Sequence, residues 1–351
     1  MSPRTLTRIP GAIQVLSVLA AFAVGLILIL STGASLSTSV TAFMQGAFGS
    51  GYAISVSINR SVVFALVGLG FIIAARAGLT NVGGEGQIAM GGMAATAAAL
   101  YGGADALVWP LSFLYPMAVA CVAGALWASI AGVLKVRAGT NEVISTLLLS
   151  FIAVWLVYWS VQSPALLRQP MTSASTLPES LSIPQNTQIP LLTGSYASPV
   201  TAGAVFTLVL AAATWLLLGR SVFGFRLRMV GENPTAALRA GVPVDRDMVL
   251  ALAIAGAFGG LAGAMMIQGE QYALKAGFSS NYGFDGLVVG LLARGRVSGV
   301  ILGALLFGFL RSGGIMMEMA ASVPTALVQI VQGLIVLFVA GAAFWLEGKR
   351  R

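Results

Sequence analysis

Apolar runs about as long as a membrane is thick dominate this chain. Hydrophobic residues make up 58% of it and charged residues only 9%, whereas soluble domains contain about 25% charged residues. A helix needs about 20 apolar residues to cross the hydrocarbon core. The first five such runs lie at about 12–31, 54–75, 86–102, 108–134 and 142–162. The sequence therefore predicts an all-α integral membrane protein.

Five later segments bring the expected total to about ten. They lie at about 199–219, 248–268, 285–293, 297–310 and 325–345. The segments 285–293 and 297–310 are too short for a full crossing, and they could be halves of a discontinuous helix or re-entrant pieces. EGQIAMGGM (85–93) and DGLVVGLLA (285–293) each begin with an acidic residue followed by glycine. This similarity favours an inverted repeat within a single transmembrane domain that covers residues 1–351.

The basic residues indicate the orientation of the chain. With the N-terminus inside and ten alternating segments, 15 of the 19 basic residues fall in inside loops and termini. Those left outside are Arg60, Arg168, Lys275 and Arg311. Basic residues concentrate in cytoplasmic loops, so we expect a multi-pass protein of the bacterial inner membrane with both termini in the cytoplasm. The net charge of +8 then reflects orientation in the lipid bilayer, and we expect no nucleic-acid partner.

Two loops are long enough to carry function. Residues 163–198 contain five prolines and are expected outside, as an irregular lid or as a docking surface for an extracellular partner. Residues 220–247 contain five arginines and no lysine, and they are expected in the cytoplasm. Within them, GENPTAALRAG (231–241) predicts a short polar helix that Asn233 caps, that starts at Pro234 and that ends near Gly241. Such a helix is a poor membrane element and a good docking element.

Two further motifs place carboxylates beside membrane segments. GLTNVGGEGQIAMGG (78–92) contains Asn81 and Glu85, and RAGTNEVISTLLL (137–149) contains Asn141 and Glu142. Each motif can be read as a capped helix start, since acidic residues are favoured in the first turn of a helix. Alternatively, the first is a pivot or part of a solute pathway and the second is a cytoplasmic contact point. Asp285 opens a short segment and is a weaker candidate for the pathway.

Several kinds of chemistry are excluded by the composition. The chain has no histidine, and its one cysteine, Cys121, permits neither an internal disulfide nor a cysteine metal cluster. It has no GxxxxGK[ST] phosphate loop, so it does not bind ATP in that way. We therefore predict no catalytic residues, no metal and no cofactor.

Four motifs in order resemble one protein family. GLTNVGGEGQIAMGG, NEVISTLLLSFIA, GENPTAALRAGV and FDGLVVGLLAR followed by GVILGALLFGFLRSG are similar to permease subunits of bacterial ABC importers for simple sugars and nucleosides. These subunits belong to the wider branched-chain amino acid/ribose permease family. The resemblance covers residues from about 60 to 340. ARGRVSG (293–299) departs from it, because it lacks the glycine and proline often found between the two short helices.

The resemblance implies a permease without its own ATPase. Cytoplasmic ABC ATPase subunits, a second and non-identical permease, and an extracytoplasmic substrate-binding protein would be its partners. The cytoplasmic loop 220–247 would then carry the ATPase contact. Its coupling residues would be Gly231, Glu232, Asn233, Pro234, Ala236, Ala237 and Arg239.

The resemblance favours nucleosides as the imported solute. The chain length and the long outer loop look most like the larger permease of the nucleoside systems. A ribose-like sugar importer, an ion-coupled secondary transporter and a membrane scaffold without transport activity remain as alternatives. The few acidic residues crowd at helix ends, which argues against an ion-coupled transporter, because such proteins use carboxylates inside the bundle.

Overall fold

The computed structural model describes residues 19–21, 23–30, 33–171, 177–324, 326–334 and 337–338. Both chain termini lie outside these residues, and so do the N-terminal end of the first expected helix and the C-terminal end of the last one. Residues 19–21, 23–30, 326–334 and 337–338 are helical. The helices between them are α1 Leu36–Phe48, α2 Gly51–Arg76, α3 Gly84–Tyr101, α4 Leu111–Ala138, α5 Glu142–Gln162, α6 Gly203–Arg220, α7 Val222–Glu232, α8 Pro234–Arg239, α9 Val244–Met266, α10 Tyr282–Leu292 and α11 Val297–Ala321.

The all-helical membrane architecture is confirmed. Within the described ranges, six helices are long and apolar enough to cross a membrane: α2, α4, α5, α6, α9 with the π-helical turn that follows it, and α11. Helix α5 has the predicted bounds, Glu142–Gln162. Helix α3 covers its predicted range within two residues but is rich in alanine and glycine, and it is not among the six.

The prediction of two short segments is wrong for one of them. Helix α10 has 11 residues, as expected, but α11 runs for 25 residues to Ala321 instead of ending near 310. The glycines after Arg311, Gly313 and Gly314, lie within this continuous helix. They permit close packing, since a Cβ atom on Gly313 would meet the ring of Phe43.

Two arginines assigned to outer loops lie within helices. Arg60 belongs to α2, and Arg311 belongs to α11 with only 8% of its surface exposed. The Arg60 guanidinium donates a hydrogen bond to the Ser312 hydroxyl at 3.0 Å. These two residues therefore do not mark a loop.

Among the described helices, the sequence-based interpretation did not include α1 and α7, and both are short.

The chain divides into two compact units. One consists of Met1–Arg60 with Leu306–Arg351, and the other of Ser61–Leu305. In the larger unit α9 packs mainly on α4 and α3, and α3 also packs on α5. Glycines allow this close approach: a Cβ atom on Gly260 would meet the Ala120 carbonyl, and one on Gly124 would meet the Gly256 carbonyl. Small residues at such crossings are typical of membrane helices.

The described parts of the proline-rich segment between α5 and α6, residues 163–171 and 177–202, contain one short 3-10 turn, Gln185–Thr187, and are otherwise irregular, as predicted. Hydrogen bonds hold this segment in place. The Ser180, Ile183 and Ile189 amides donate to carbonyls of residues 274, 272 and 268 at 2.8 to 3.0 Å. The buried Gln268 side chain, in the π-helical turn Ile267–Gln271, donates to the carbonyls of Phe113 and Thr187. Its role as a lid stays a prediction.

The glycine crossing yields a first testable prediction. Gly260→Ala should lower the free energy of unfolding by about 1–3 kcal/mol, because the methyl group overpacks the α4–α9 contact. The control is Gly219→Ala, since a Cβ atom there meets nothing within 4 Å and alanine favours a helix by about 1 kcal/mol. Thermal unfolding in detergent measures both. Equal melting temperatures for the two variants would contradict the packing argument.

Candidate functional site

The predicted short helix lies where the sequence placed it. Helix α7 ends at Glu232, and Asn233 adopts an extended conformation that separates it from α8. The Asn233 side chain accepts a hydrogen bond from the Ala236 amide at 3.0 Å, and Pro234 occupies the first helical position. Helix α8 ends at Arg239, and Gly241 turns the chain with a φ of +82°. The start and the cap are therefore confirmed.

Helix α8 has one buried contact and an exposed apolar side chain. Ala237 is 1% exposed and anchors the helix, whereas Leu238 is 64% exposed. Glu232, Asn233, Pro234, Ala236 and Arg239 are also exposed. The exposed Glu232 carboxylate is 2.8 Å from Arg228, and this hydrogen bond raises the pKa of the Arg228 guanidinium above its ordinary value. Sequence reasoning missed Leu238, although a leucine in a polar helix is a visible signal.

A buried ion pair fixes the same loop to the transmembrane part. Arg226 in α7 donates from Nη2 to the Asp247 Oδ1 at 3.2 Å, and its Nε lies 2.9 Å from Oδ2. Asp247 lies in the first turn of α9 and is fully buried. Removing one partner of such a pair leaves an uncompensated buried charge, which is strongly destabilising.

The loop also contacts the turn between α2 and α3. A Cβ atom on Gly231 would meet the Arg76 carbonyl oxygen, and one on Gly78 would lie 3.2 Å from the Gly231 Cα. Two backbones therefore touch without an intervening side chain. The end of α7 is therefore in direct contact with the α2–α3 turn.

The chain from this turn to α3 is irregular and partly buried, and it runs along helix α5. The Thr80, Val82 and Gly86 amides donate to side chains of Glu142, Thr146 and Ser150, at 3.1 to 3.4 Å. These acceptors are spaced four residues apart, so the segment climbs about 12 Å along α5. Irregular backbone at membrane depth requires such internal partners.

The ends of this segment are held by side-chain pairs. Asn81 and Gln87 exchange two amide hydrogen bonds, at 3.0 and 3.2 Å, and Asn81 also accepts from the Gly83 amide. Glu142 forms an ion pair with Lys135 at 2.7 Å. The cap on α5 is Asn141, which accepts from the Val143 amide.

Glu85 joins the start of α3 to the start of α10. Its carboxylate, 5% exposed, accepts hydrogen bonds from the Ser279 hydroxyl at 2.5 Å, the Asn281 amide at 3.1 Å and the Gly283 amide at 2.8 Å. The amides at a helix start lack intrahelical acceptors and attract negative charge. Glu85 therefore caps a helix almost 200 residues away in sequence, in addition to lying in the first turn of its own.

The start of α10 is held in an unusual conformation. Ser280 and Asn281 have φ values of 43° and 66°, which are costly for residues other than glycine. The Tyr282 ring stacks on Phe64 of α2 with centroids 4.7 Å apart. A Cβ atom on Gly283 would meet the Glu85 backbone, so the two helix starts are in direct contact. Asp285 is half-buried in the first turn of α10.

A cavity of about 340 Å³ opens beside this junction. Its walls include the Glu85, Ser150 and Ser279 side chains together with the rings of Phe151 and Phe284. A small polar solute with an aromatic group matches these walls in chemistry. In the part of the chain that the structure describes, no group of three or more acidic, cysteine or histidine side chains could hold a metal.

A family model for the permease component of branched-chain amino acid transport systems matches residues 53–340. The chain belongs to this permease family. It is thus a multi-pass membrane component of a transport system, and the family implies ATPase and substrate-binding partners. The resemblance expected from the four motifs is confirmed.

Proteins similar to almost the whole length of this chain are named as permeases of ABC transporters. The chain is 33% identical to a guanosine ABC transporter permease, NupP, of Bacillus subtilis, over 94% of this chain and 93% of the relative. It is 33% identical to a glucose ABC transporter permease, TsgB13, of Haloferax volcanii (94% and 87% coverage). It is 27% identical to a nucleoside ABC transporter permease, NupB, of Lactococcus lactis (93% and 90%). A second permease from each organism also matches, over 70 to 74% of this chain.

The expected site residues of this permease form two groups in the larger unit. Gly231, Glu232, Asn233, Pro234, Ala236, Ala237 and Arg239 lie at α7–α8, and Asn81, Glu85, Asn141, Glu142 and Asp285 lie along the path from the α2–α3 turn to α10. Their functional roles stay predictions. Sequence reasoning missed the partners Gln87, Ser150 and Ser279. For Ser279 a signal existed, since FSSN (278–281) is a polar break just before an apolar segment.

The Glu85 junction yields a second prediction. Glu85→Gln should lower the free energy of unfolding by about 1–3 kcal/mol, because the amide replaces one accepting oxygen by an NH2 group, which donates and would face an N–H or O–H donor. Thermal unfolding in detergent measures it, with the exposed Glu318→Gln as the control of identical chemistry. In a double-mutant cycle with Ser279→Ala the effects should be non-additive. Additive effects would show that the two side chains are energetically independent.

Proposed function

We propose that the chain is the larger of two non-identical permease subunits in an ATP-driven importer of nucleosides. Residues 1–351 would form one permease domain with both termini in the cytoplasm, and ATP would be hydrolysed by partner subunits. Two of the three long relatives are named for guanosine or nucleosides. A second, less extensively matching permease in the same organisms supports the non-identical pair.

The observation that carries the proposal is the rigid, exposed helix α8. An ATPase can drive the permease only through a contact that is stiff and bonded to the transmembrane helices. Asn233 and Pro234 fix the start of α8, and Ala237 packs it against the permease. The exposed Leu238 side chain then fits a groove on the ATPase, with Glu232, Ala236 and Arg239 around it.

A continuous chain of contacts supports a route from α8 to the interior. Gly231 touches the α2–α3 turn, which continues into the irregular segment along α5 and ends at Glu85. Glu85 in turn holds the start of α10. A displacement of α7 and α8 by the ATPase would therefore reach the junction of the two helix starts, which we propose as the pivot.

The cavity beside Glu85 is the proposed position of the solute on its path. Its hydroxyl groups can bind the polar groups of a sugar, and the Phe151 and Phe284 rings offer apolar faces for a base. These contacts are few, so we expect weak binding. Selectivity would then come mainly from the substrate-binding protein.

The docking role of Leu238 gives a third prediction. Leu238→Ala should weaken binding of the cognate ATPase about 10- to 100-fold, because a buried leucine contributes about 1.5–3 kcal/mol. Copurification and a titration of the detergent-solubilised permease with ATPase measure this. The matched control is Leu192→Ala in the outer loop, which is 51% exposed and should bind as the wild type does. An unchanged affinity for Leu238→Ala would exclude α8 as the main contact.

A simple sugar is the second candidate solute. The glucose permease TsgB13 is as similar to this chain as the guanosine permease is. The hydroxyl-lined part of the cavity suits either a free sugar or the ribose of a nucleoside. Only a base would use the two phenylalanine rings.

Direct transport gives a fourth prediction. Proteoliposomes with both permeases, the ATPase and the binding protein should take up labelled guanosine when ATP is supplied, and excess uridine should compete more strongly than excess glucose. Uptake should persist when ionophores collapse the ion gradients. Glucose uptake without guanosine uptake would support the second candidate. Uptake by the permease alone, driven by an ion gradient, would instead establish a secondary transporter.

A further inference from the structure

Three arginines line two neighbouring clefts near the turn between α10 and α11. One cleft, of about 610 Å³, is lined by Arg76, Trp215 and Arg296 among others. The second, of about 470 Å³, is lined by Arg76 and Arg294. Arg76 and Gly295 belong to both clefts. The ARGRVSG sequence that departs from the family pattern thus forms part of a basic recess.

The positive charges in this recess are not neutralised by the described part of the chain. The side chains of Arg76, Arg294 and Arg296 form no hydrogen bond or ion pair with another described residue, and the Nε of Arg76 is buried without a partner. The Glu142 carboxylate, which accepts a hydrogen bond from the Thr80 amide in the lining of the second cleft, is already paired with Lys135. A buried guanidinium nitrogen without an acceptor is costly, so the recess is suited to an anion from outside the chain.

One wall of the recess is a helix surface suited to lipid. Trp215 of α6 is 53% exposed, and the neighbouring side chains Leu208, Val209 and Leu216 are exposed as well. The Arg220 guanidinium lies 5.1 Å from the centre of the Trp215 ring. Tryptophan is enriched where membrane and water meet. The recess therefore combines guanidinium groups with an apolar helix surface beside them.

We propose that this recess binds the phosphate group of an anionic phospholipid. Guanidinium groups bind phosphate through paired, charge-assisted hydrogen bonds. Basic pockets between membrane helices on the cytoplasmic side bind anionic headgroups. A free phosphate ester shares the headgroup chemistry, but it would leave the apolar surface of α6 uncovered. The leaflet follows from the proposed orientation, because Arg76 lies beside the α7–α8 loop.

Lipid retention tests the proposal on the purified full-length protein. The permease is placed in nanodiscs of phosphatidylcholine with a small fraction of phosphatidylglycerol, extracted gently, and analysed by native mass spectrometry. The double variant Arg294→Gln/Arg296→Gln should bind phosphatidylglycerol about 10- to 30-fold more weakly, since each arginine near the surface contributes about 1 kcal/mol. The control, Arg137→Gln/Arg246→Gln, makes the same charge change at exposed residues outside the clefts and should retain the lipid.

The possible outcomes separate the sources of the anion. Retention of the lipid by the wild type and the control, with loss in the cleft variant, supports the proposal. Displacement of the lipid by inorganic phosphate at constant ionic strength would indicate a soluble phosphate site instead. Equal loss in both variants would show diffuse surface charge and overturn the specific site.

The measurement is independent of the transport proposal. Lipid binding is detected without an ATPase, a substrate or a membrane orientation. Melting temperatures in pure phosphatidylcholine identify a variant that fails to fold, and Arg76→Gln provides a second variant from another helix. Absence of guanosine transport would therefore leave the lipid result intact, and the reverse also holds.

Discussion

A chain that leaves the helical conformation inside an apolar solvent must find hydrogen-bond partners for every backbone group it releases. Much of the site in this permease answers that constraint. Between α2 and α3 the Thr80 and Val82 amides bond to the Glu142 and Thr146 side chains of α5. The Gly86 amide, in the first turn of α3, bonds to the Ser150 hydroxyl. At the start of α10 the acceptor is the Glu85 carboxylate. The same bonds that satisfy the backbone also tie α3, α5 and α10 together.

This arrangement concentrates structure and movement at the same residues. The Glu85 carboxylate stabilises the start of α10, and the residues just before this start have strained backbone angles. A small number of hydrogen bonds to one side chain therefore holds the start of α10 in place. By contrast, α3, α4 and α9 are held together by glycines that allow their backbones to approach one another closely. The glycine-packed helices are thus held by close backbone contact, whereas the α10 start depends on the Glu85 hydrogen bonds, and this difference supports the proposed pivot. Gly231, just before α8, lies against the α2–α3 turn, so the proposed coupling helix is placed to act on that point.

Local signals in the sequence were sufficient for the coupling loop and for the start of α5. Asn233 with Pro234, and Asn141 with Glu142, are caps whose partners lie within four residues, so the pattern alone predicts the geometry. The partner of Glu85 lies almost 200 residues away and could not be found from spacing. The predicted length of α11 was wrong for a related reason. Its glycines resemble breaks, and only the Phe43 ring packed against Gly313 explains their presence in a continuous helix.

The arginines of the larger unit fall into two classes. Counting the basic residues in each loop to assign the orientation does not separate these classes. Arg226 and Arg228 are matched by carboxylates within the α6–α9 region, so their charges serve the loop itself. Arg76, Arg294 and Arg296 have no such matching among the described residues, although all five are expected on the same side of the membrane. A positive-inside count assigns the same meaning to both classes. Pairing distinguishes them, because a charge already satisfied by the protein holds the loop, whereas an unsatisfied charge beside an exposed helix attracts the membrane.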